Sequence, residues 1–104
     1  MPVMEISVVP IGTASSSISK YVAQSEEPLQ KAGQLRSVVT AMGTLVEGAS
    51  TRELLDVALK MHHRALTAGA KRVLTHITID ERIDKKVSIV SKVNSVMKKM
   101  NSAK

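Results

Sequence analysis

The chain has 104 residues, a formal net charge of +6 and no cysteine, and Tyr21 is its only aromatic residue. This length predicts a single domain, residues 1–104, with an aliphatic core. The lack of cysteine excludes disulfides and thiolate metal sites, and no stretch approaches the roughly 20 apolar residues of a membrane span. The N-terminus also lacks a basic signal-peptide region, so we expect a cytoplasmic protein.

The positive charge is concentrated in the second half of the chain. Residues 1–50 hold three Lys or Arg and four Asp or Glu, whereas residues 51–104 hold twelve and five. Residues 85–104 alone carry six lysines and no acidic residue. The basic balance is therefore largely a property of the C-terminal segment and does not by itself indicate a nucleic-acid surface.

Alternating apolar and polar residues predict the strands. The alternation covers residues 3–9, where Pro10 ends it, and residues 72–79. Residues 36–49 predict two further strands joined through Met42-Gly43, because glycine can take positive φ at little steric cost.

Helical spacing of apolar residues predicts three helices. The first covers about 16–32 and follows serines that can cap it, with a kink or break expected at Pro28. The second begins at the capping-box sequence Ser50-Thr-Arg-Glu53 and runs to about Ala68. The third covers about 84–100, with lysines opposite its apolar side.

The order β-α-β-β-α-β plus a C-terminal helix predicts an α+β, ferredoxin-like fold with a four-stranded antiparallel sheet. Both main helices then cover one face of the sheet. The other face carries Glu5, Ser7, His76 and Thr78, with Thr40 and Glu47 as further candidates. Such a face either pairs with another subunit or lines a pocket, and we expect both.

Glu47 is an acidic side chain within an apolar, β-branched run of a basic protein. One interpretation is a charge on an edge strand, which discourages aggregation. The other is a carboxylate that points into a pocket and meets a cation or an N–H donor. The sequence leaves both interpretations open.

The histidines do not predict a metal site or an active site. His62 and His63 are adjacent, whereas a zinc-binding helix pairs positions i and i+4, so we expect His62 to be half-buried packing and His63 to be exposed. Ser17, His76 and Glu47 include the residue types of a hydrolase, but no nucleophile-elbow motif accompanies them. We therefore expect no metal, no cofactor and no enzymatic activity.

Nucleic-acid binding is the main alternative that the composition suggests. The predicted strands lack the aromatic residues on which RNA-binding ferredoxin-like sheets stack bases. The Lys-rich C-terminal helix could make weak, salt-sensitive phosphate contacts. It lacks the Trp and Phe typical of a membrane-surface anchor, and we expect no membrane partner.

Four stretches together resemble the thiamine-binding protein family, whose members are small ferredoxin-like proteins. They are residues 5–12 with 17–22, the segment 42–48 (Met-Gly-Thr-Leu-Val-Glu-Gly), His62 with 69–73, and residues 79–85 with 92–96. The resemblance covers nearly the whole chain. His63, where the family often has Glu, and Pro28 within the first helix depart from the family's pattern.

The resemblance implies a homodimer or homotetramer that pairs through its sheets and binds thiamine or its hydroxymethylpyrimidine portion without catalysis. It implies ligand contacts from Ser17, Ser19, Thr44 and Glu47, with thiamine as the ligand rather than as a cofactor. We add Met42 as a soft contact and His76 because it lies on the same predicted face as Glu5. An assembly module without a small ligand remains the alternative.

Overall fold

The computed structural model describes residues 1–12 and 18–102, and its elements follow the predicted order. The strands are β1 (Val3–Ile11), β2 (Arg36–Val39), β3 (Thr44–Glu47) and β4 (Arg72–Asp80). The helices are α1 (Ser19–Ser25), α2 (Glu27–Lys31), α3 (Thr51–Thr67) and α4 (Ile89–Ser102). None of these helices is both long and apolar enough to span a membrane.

The four strands form one antiparallel sheet in the order β2-β3-β1-β4, which confirms the ferredoxin-like α+β fold. Helices α1, α2 and α3 cover one face of this sheet. The core lies between them and is aliphatic, with side chains from β1, β3, α2 and α3. Its buried members are Met4, Ile6, Val8, Leu29, Val46, Leu54, Val57, Ala58, Met61 and Ala65.

The opposite side of the sheet is called here the open face. By the strand register, Glu5, Ser7, His76 and Thr78 lie on it, as the alternation predicts. Leu45 and Glu47 join them through their pairing with β1. The first turn of α4 lies against this face, with contacts to Glu47 of β3 and Asp80 of β4.

The predicted first helix is broken into α1 and α2 at Glu26, two residues before Pro28. Proline has no N–H to donate and is tolerated in the first turn of a helix, which is where Pro28 lies in α2. The break sets Glu26 at the junction of the two helices, facing the β2–β3 hairpin.

Two predicted boundaries are wrong. Strand β1 continues through Pro10 to Ile11, because beyond Ile6 it is paired with β4 alone, and proline is tolerated at such an edge. Helix α4 begins at Ile89 rather than at about residue 84. Ser88 and Ser91 fix this start, since each side-chain hydroxyl accepts from the other residue's backbone N–H, at 3.0 and 2.9 Å.

Position 43 favours glycine because a side chain there would crowd β1, not because the backbone has positive φ. Among the described glycines, only Gly12 and Gly69 have positive φ, so the expectation of positive φ at Gly43 is wrong. A Cβ atom at Gly43 would lie 3.0 Å from the Ile6 carbonyl oxygen. The missing side chain therefore lets the hairpin lie close against β1.

Candidate ligand-binding site

An apolar cleft lies between α1, β1 and the β2–β3 hairpin, and we call it the hairpin cleft. Its volume is about 260 Å³. Ligand pockets that enclose a drug-sized molecule have about 300–1,000 Å³, so this cleft suits one substituted ring. Its side chains come from every neighbouring element, and they include Ile6, Val8, Ile18, Val22, Glu26, Val39, Met42, Thr44 and Met61.

A hydrogen-bonded polar pair stands within this apolar lining. Thr44, only 4% exposed, lies on the helix side of β3, and its hydroxyl donates to Oε1 of Glu26. Glu26 is half-buried at the junction of α1 and α2. No described residue donates a hydrogen bond to its other carboxylate oxygen, Oε2. The cleft therefore presents a carboxylate that can accept from a ligand or balance a positive charge.

A second, more open hollow adjoins the hairpin cleft, and we call it the outer hollow. It has a volume of about 750 Å³ and shares five lining residues with the cleft. The shared residues are Ile18, Val22, Glu26, Val39 and Ala41. Glu26 therefore lines both the hairpin cleft and the outer hollow. A two-ring ligand with one ring in each space could contact its carboxylate with both rings.

The structure brings three of the predicted ligand contacts to this region. Thr44 and Met42 line the hairpin cleft, with Met42 85% exposed at the tip of the hairpin. Ser19, the first residue of α1, lines the outer hollow. Ser17 lies outside the described residues. Thr40 is engaged within the hairpin, where its hydroxyl donates to the Gly43 carbonyl at 2.7 Å.

Glu47 lies on the other side of the sheet, at the far end of β3 from Thr44. It is 3% exposed, and its Oε2 accepts from the backbone N–H of Ile89 at 3.0 Å. Its Oε1 is 3.6 Å from the Arg36 guanidinium. Because β3 is an internal strand, the edge-strand interpretation is wrong. The predicted N–H donor and cation are both present, but they are Ile89 and Arg36 of the same chain rather than groups of a ligand.

His76 and Glu47 both lie on the open face, but they are far apart on it. His76 is exposed on β4 opposite Ser7, whereas Glu47 pairs with Val3. Val3 and Ser7 are four positions apart on β1, which separates the two side chains by roughly 13 Å along the sheet. Within one chain, neither residue lines the hairpin cleft.

The adjacent histidines occupy the predicted environments. His62 is half-buried, with its Nδ1 2.7 Å from the Thr75 hydroxyl, and His63 is exposed. Within residues 1–12 and 18–102, no group of three His, Asp or Glu side chains is placed to hold a metal ion.

Glu26 is the residue that reasoning from the sequence missed. The apolar spacing predicts a helix over about 16–32 that includes Glu26, and an acidic residue on the polar side of a helix does not indicate a binding site. The available signal was Pro28, because a proline lacks the N–H that continues a helix and therefore predicts a junction between helices close to Glu26. The partner, Thr44, is distant in sequence, and only the fold brings the two together.

The comparison with known proteins decides the family. A sequence profile of the family described as "Thiamine-binding protein" matches residues 4–97. The chain belongs to this thiamine-binding protein family. A UPF0045 protein of Methanothermobacter thermautotrophicus is 40% identical over 96 residues, which cover 92% of this chain and 96% of that protein. The UPF0045 protein YqgV of Bacillus subtilis is 38% identical over 101 residues, covering 94% and 96%.

Solved structures of similar proteins have the same fold. A hypothetical protein of Methanocaldococcus jannaschii aligns with a TM-score of 0.83 and 35% identity, covering 91% of this chain and 94% of that one. A Thermotoga maritima protein, proposed to act in thiamine biosynthesis or salvage, aligns with a TM-score of 0.78. It is 22% identical and covers 91% of this chain and 97% of that one, so this second likeness concerns the fold alone.

Proposed function

We propose that this protein binds thiamine, or its hydroxymethylpyrimidine portion, in the hairpin cleft and does so as a carrier or sensor without catalysing a reaction. Membership of the thiamine-binding protein family supports a thiamine-related role. The observation that carries the proposal is the Glu26 carboxylate, hydrogen-bonded to buried Thr44 in an otherwise apolar cleft.

The chemistry of thiamine matches these groups. Its aminopyrimidine ring has an apolar face, an amino group that donates hydrogen bonds and ring nitrogens that accept them. A carboxylate accepts from the amino group, while apolar side chains cover the ring. The volume of the hairpin cleft suits the aminopyrimidine ring alone. The thiazolium ring of thiamine then lies in the outer hollow, where the Glu26 carboxylate balances the positive charge of that ring.

The apolar lining sets the expected strength of binding. No aromatic side chain is among the described residues that line the cleft, so no ring stacks on the pyrimidine. Met42 and Met61 provide polarizable contacts instead. We expect micromolar rather than nanomolar affinity.

Calorimetric titration with thiamine and with hydroxymethylpyrimidine tests the proposal. Saturable binding is expected for both ligands, and Glu26→Gln should weaken thiamine binding about ten-fold or more, because a charge-assisted hydrogen bond is lost. Glu47→Gln is the matched control, since it makes the same chemical change outside the cleft, and its affinity should stay within about two-fold of the unaltered protein.

Two results would contradict the proposal. A flat titration with well-folded protein would mean that the cleft does not bind this class of ligand. Binding that is weakened in Glu47→Gln and unchanged in Glu26→Gln would move the site to the open face. Circular dichroism and thermal unfolding of both variants establish that the fold is retained.

We also propose that the protein self-associates as a homodimer or homotetramer through its open face and α4. The apolar stripe of α4 is about half exposed at Val90, Val93, Val96, Met97 and Met100. Leu74 and Val38 on the open face are similarly exposed. Contiguous apolar surface of this kind is typical of subunit interfaces.

The same exposed surface supports the second candidate function, an assembly module without a small ligand. In that case thiamine and hydroxymethylpyrimidine produce no saturable heat, while a change on α4 alters the oligomer mass. Weak nucleic-acid binding through the lysines of α4 would instead appear as a salt-dependent gel shift that is lost when residues 85–104 are deleted.

A further inference from the structure

A basic groove lies between α2 and α3, on the side of the helix layer that faces away from the sheet. Its volume is about 560 Å³. None of its lining residues lines the hairpin cleft or the outer hollow. The polar side chains around it are Glu27, Lys31, Gln34, Lys60, His63, Arg64 and Thr67.

The basic side chains reach the groove from both of its walls. Lys60 and Arg64 are four residues apart on α3 and therefore share one helix face, with His63 beside them. Lys31 comes from α2 on the opposite wall. Lys60 and Arg64 are about 6 Å apart along the axis of α3, so one phosphate group can contact both.

Glu27 forms ion pairs with two of these basic side chains, Lys31 and Arg64. Its Oε1 is 2.9 Å from Lys31 Nζ, and its Oε2 is 3.2 Å from Arg64 Nε. Arg64 also donates from a terminal nitrogen to the Thr67 hydroxyl at 3.3 Å. Hydrogen bonds from Lys31 and then Arg64 lower the pKa of Glu27, which therefore stays ionised at neutral pH.

The charges in the groove do not balance. Three basic side chains, those of Lys31, Lys60 and Arg64, line the groove with one carboxylate, that of Glu27, among the described lining residues. Lys60 has no ion pair or side-chain hydrogen bond with any described residue. The groove therefore holds an excess of positive charge in a concave space, which favours an anionic ligand.

We propose that this groove binds a small phosphate-bearing ligand, independently of the hairpin cleft. A phosphate oxyanion accepts several hydrogen bonds at once, from the Lys60 ammonium, from the terminal nitrogens of Arg64 and from His63. It thereby supplies the negative charge that Glu27 alone does not provide. The side chain of Lys31 completes the opposite wall.

Calorimetric titration with pyrophosphate, and with inorganic phosphate for comparison, tests this site at about 0.15 M salt, where diffuse surface attraction is screened. Lys60→Gln should weaken pyrophosphate binding about ten-fold, since one charge-assisted contact is lost. The matched control is Lys71→Gln, which removes the same charge from an exposed position outside the groove and should leave the affinity within about two-fold.

Glu27→Gln gives the opposite and more specific result. Because it removes the carboxylate that competes with the ligand for Lys31 and Arg64, pyrophosphate should bind about three-fold or more tightly. Its control is Glu5→Gln, which changes the net charge equally on the open face. Tighter binding in Glu27→Gln alone separates a local site from an effect of net charge.

Three results would overturn this proposal. They are the absence of saturable pyrophosphate binding, equal losses in Lys60→Gln and Lys71→Gln, and equal gains in Glu27→Gln and Glu5→Gln. Thiamine binding by the same variants should be unchanged, so failure at the groove is distinguishable from failure at the hairpin cleft.

Discussion

At the scale of single residues, Thr44 and Glu47 of the short strand β3 lie on opposite faces of the sheet, Thr44 in the hairpin cleft and Glu47 on the open face. Both are polar and almost fully buried, yet side chains alternate across a strand and they lie at opposite ends of β3. Thr44 meets Glu26 beside the helices, whereas Glu47 meets Ile89 and Arg36 on the open face.

Thr44→Val should separate the hydrogen bond from the shape of the cleft, because valine has nearly the same volume. Glu26 then loses its donor, so the free energy of unfolding should fall by about 1 kcal/mol and thiamine affinity by several-fold. Urea unfolding and calorimetry measure the two effects. Thr78→Val on the exposed open face is the control, and equal effects in both variants would contradict the role given to Thr44.

Glu47→Gln should loosen the start of α4. Glutamine can still accept from the Ile89 N–H, but it loses the charge that favours a helix N-terminus and pairs with Arg36. We expect a loss of about 1–2 kcal/mol in unfolding free energy and faster amide hydrogen exchange over residues 89–92. Unchanged exchange in this segment would show that the carboxylate does not hold the helix.

At the scale of elements, the sequence predicts best what local interactions decide. The strand alternation, the N-cap at Ser50 and the break near Pro28 depend on neighbouring residues, and the structure agrees with each. Of the predicted capping box, the described hydrogen bonds include only the one from the Glu53 N–H to the Ser50 hydroxyl. The start of α4 also depends on Glu47, which is distant in sequence and accepts from the Ile89 N–H, and the continuation of β1 through Pro10 depends on which strand edges are paired. The Thr44–Glu26 pair depends on contact between distant segments, so no periodicity could reveal it.

Gly43→Ala tests the close approach of the hairpin to β1. The added Cβ would lie 3.0 Å from the Ile6 carbonyl oxygen, so the hairpin must shift, with an expected loss of about 1–2 kcal/mol in unfolding free energy. Gly33→Ala is the control, because nothing lies within 4 Å of its added Cβ. Equal stability of the two variants in urea unfolding would rule out the steric account.

At the scale of the whole molecule, the described residues leave much apolar surface exposed. Its radius of gyration is 15.4 Å, whereas a compact domain of this length has about 13 Å. The described contacts of α4 with the rest of the chain are near its beginning, at Glu47 and Asp80. The extended dimensions therefore agree with a subunit whose α4 and open face are covered in an oligomer.

Val93→Glu should disrupt that assembly, because it places a charge in the apolar stripe of α4. We expect light scattering to report a lower mass and a loss of several kcal/mol in association free energy. Ser95→Glu makes the same charge change on the other side of the helix and should keep the mass of the unaltered protein. An unchanged mass in Val93→Glu would remove α4 from the interface.

Binding of thiamine in the hairpin cleft can be observed by an NMR titration of isotope-labelled methionine methyl groups with thiamine. Met42 and Met61 line the hairpin cleft, whereas Met97 and Met100 lie on α4, so the methyl signals report both surfaces at once. A ligand bound in the hairpin cleft should cause saturable shifts of the Met42 and Met61 signals and leave the Met97 and Met100 signals unchanged. Shifts confined to Met97 and Met100, or no shifts at saturating thiamine, would contradict binding in the hairpin cleft.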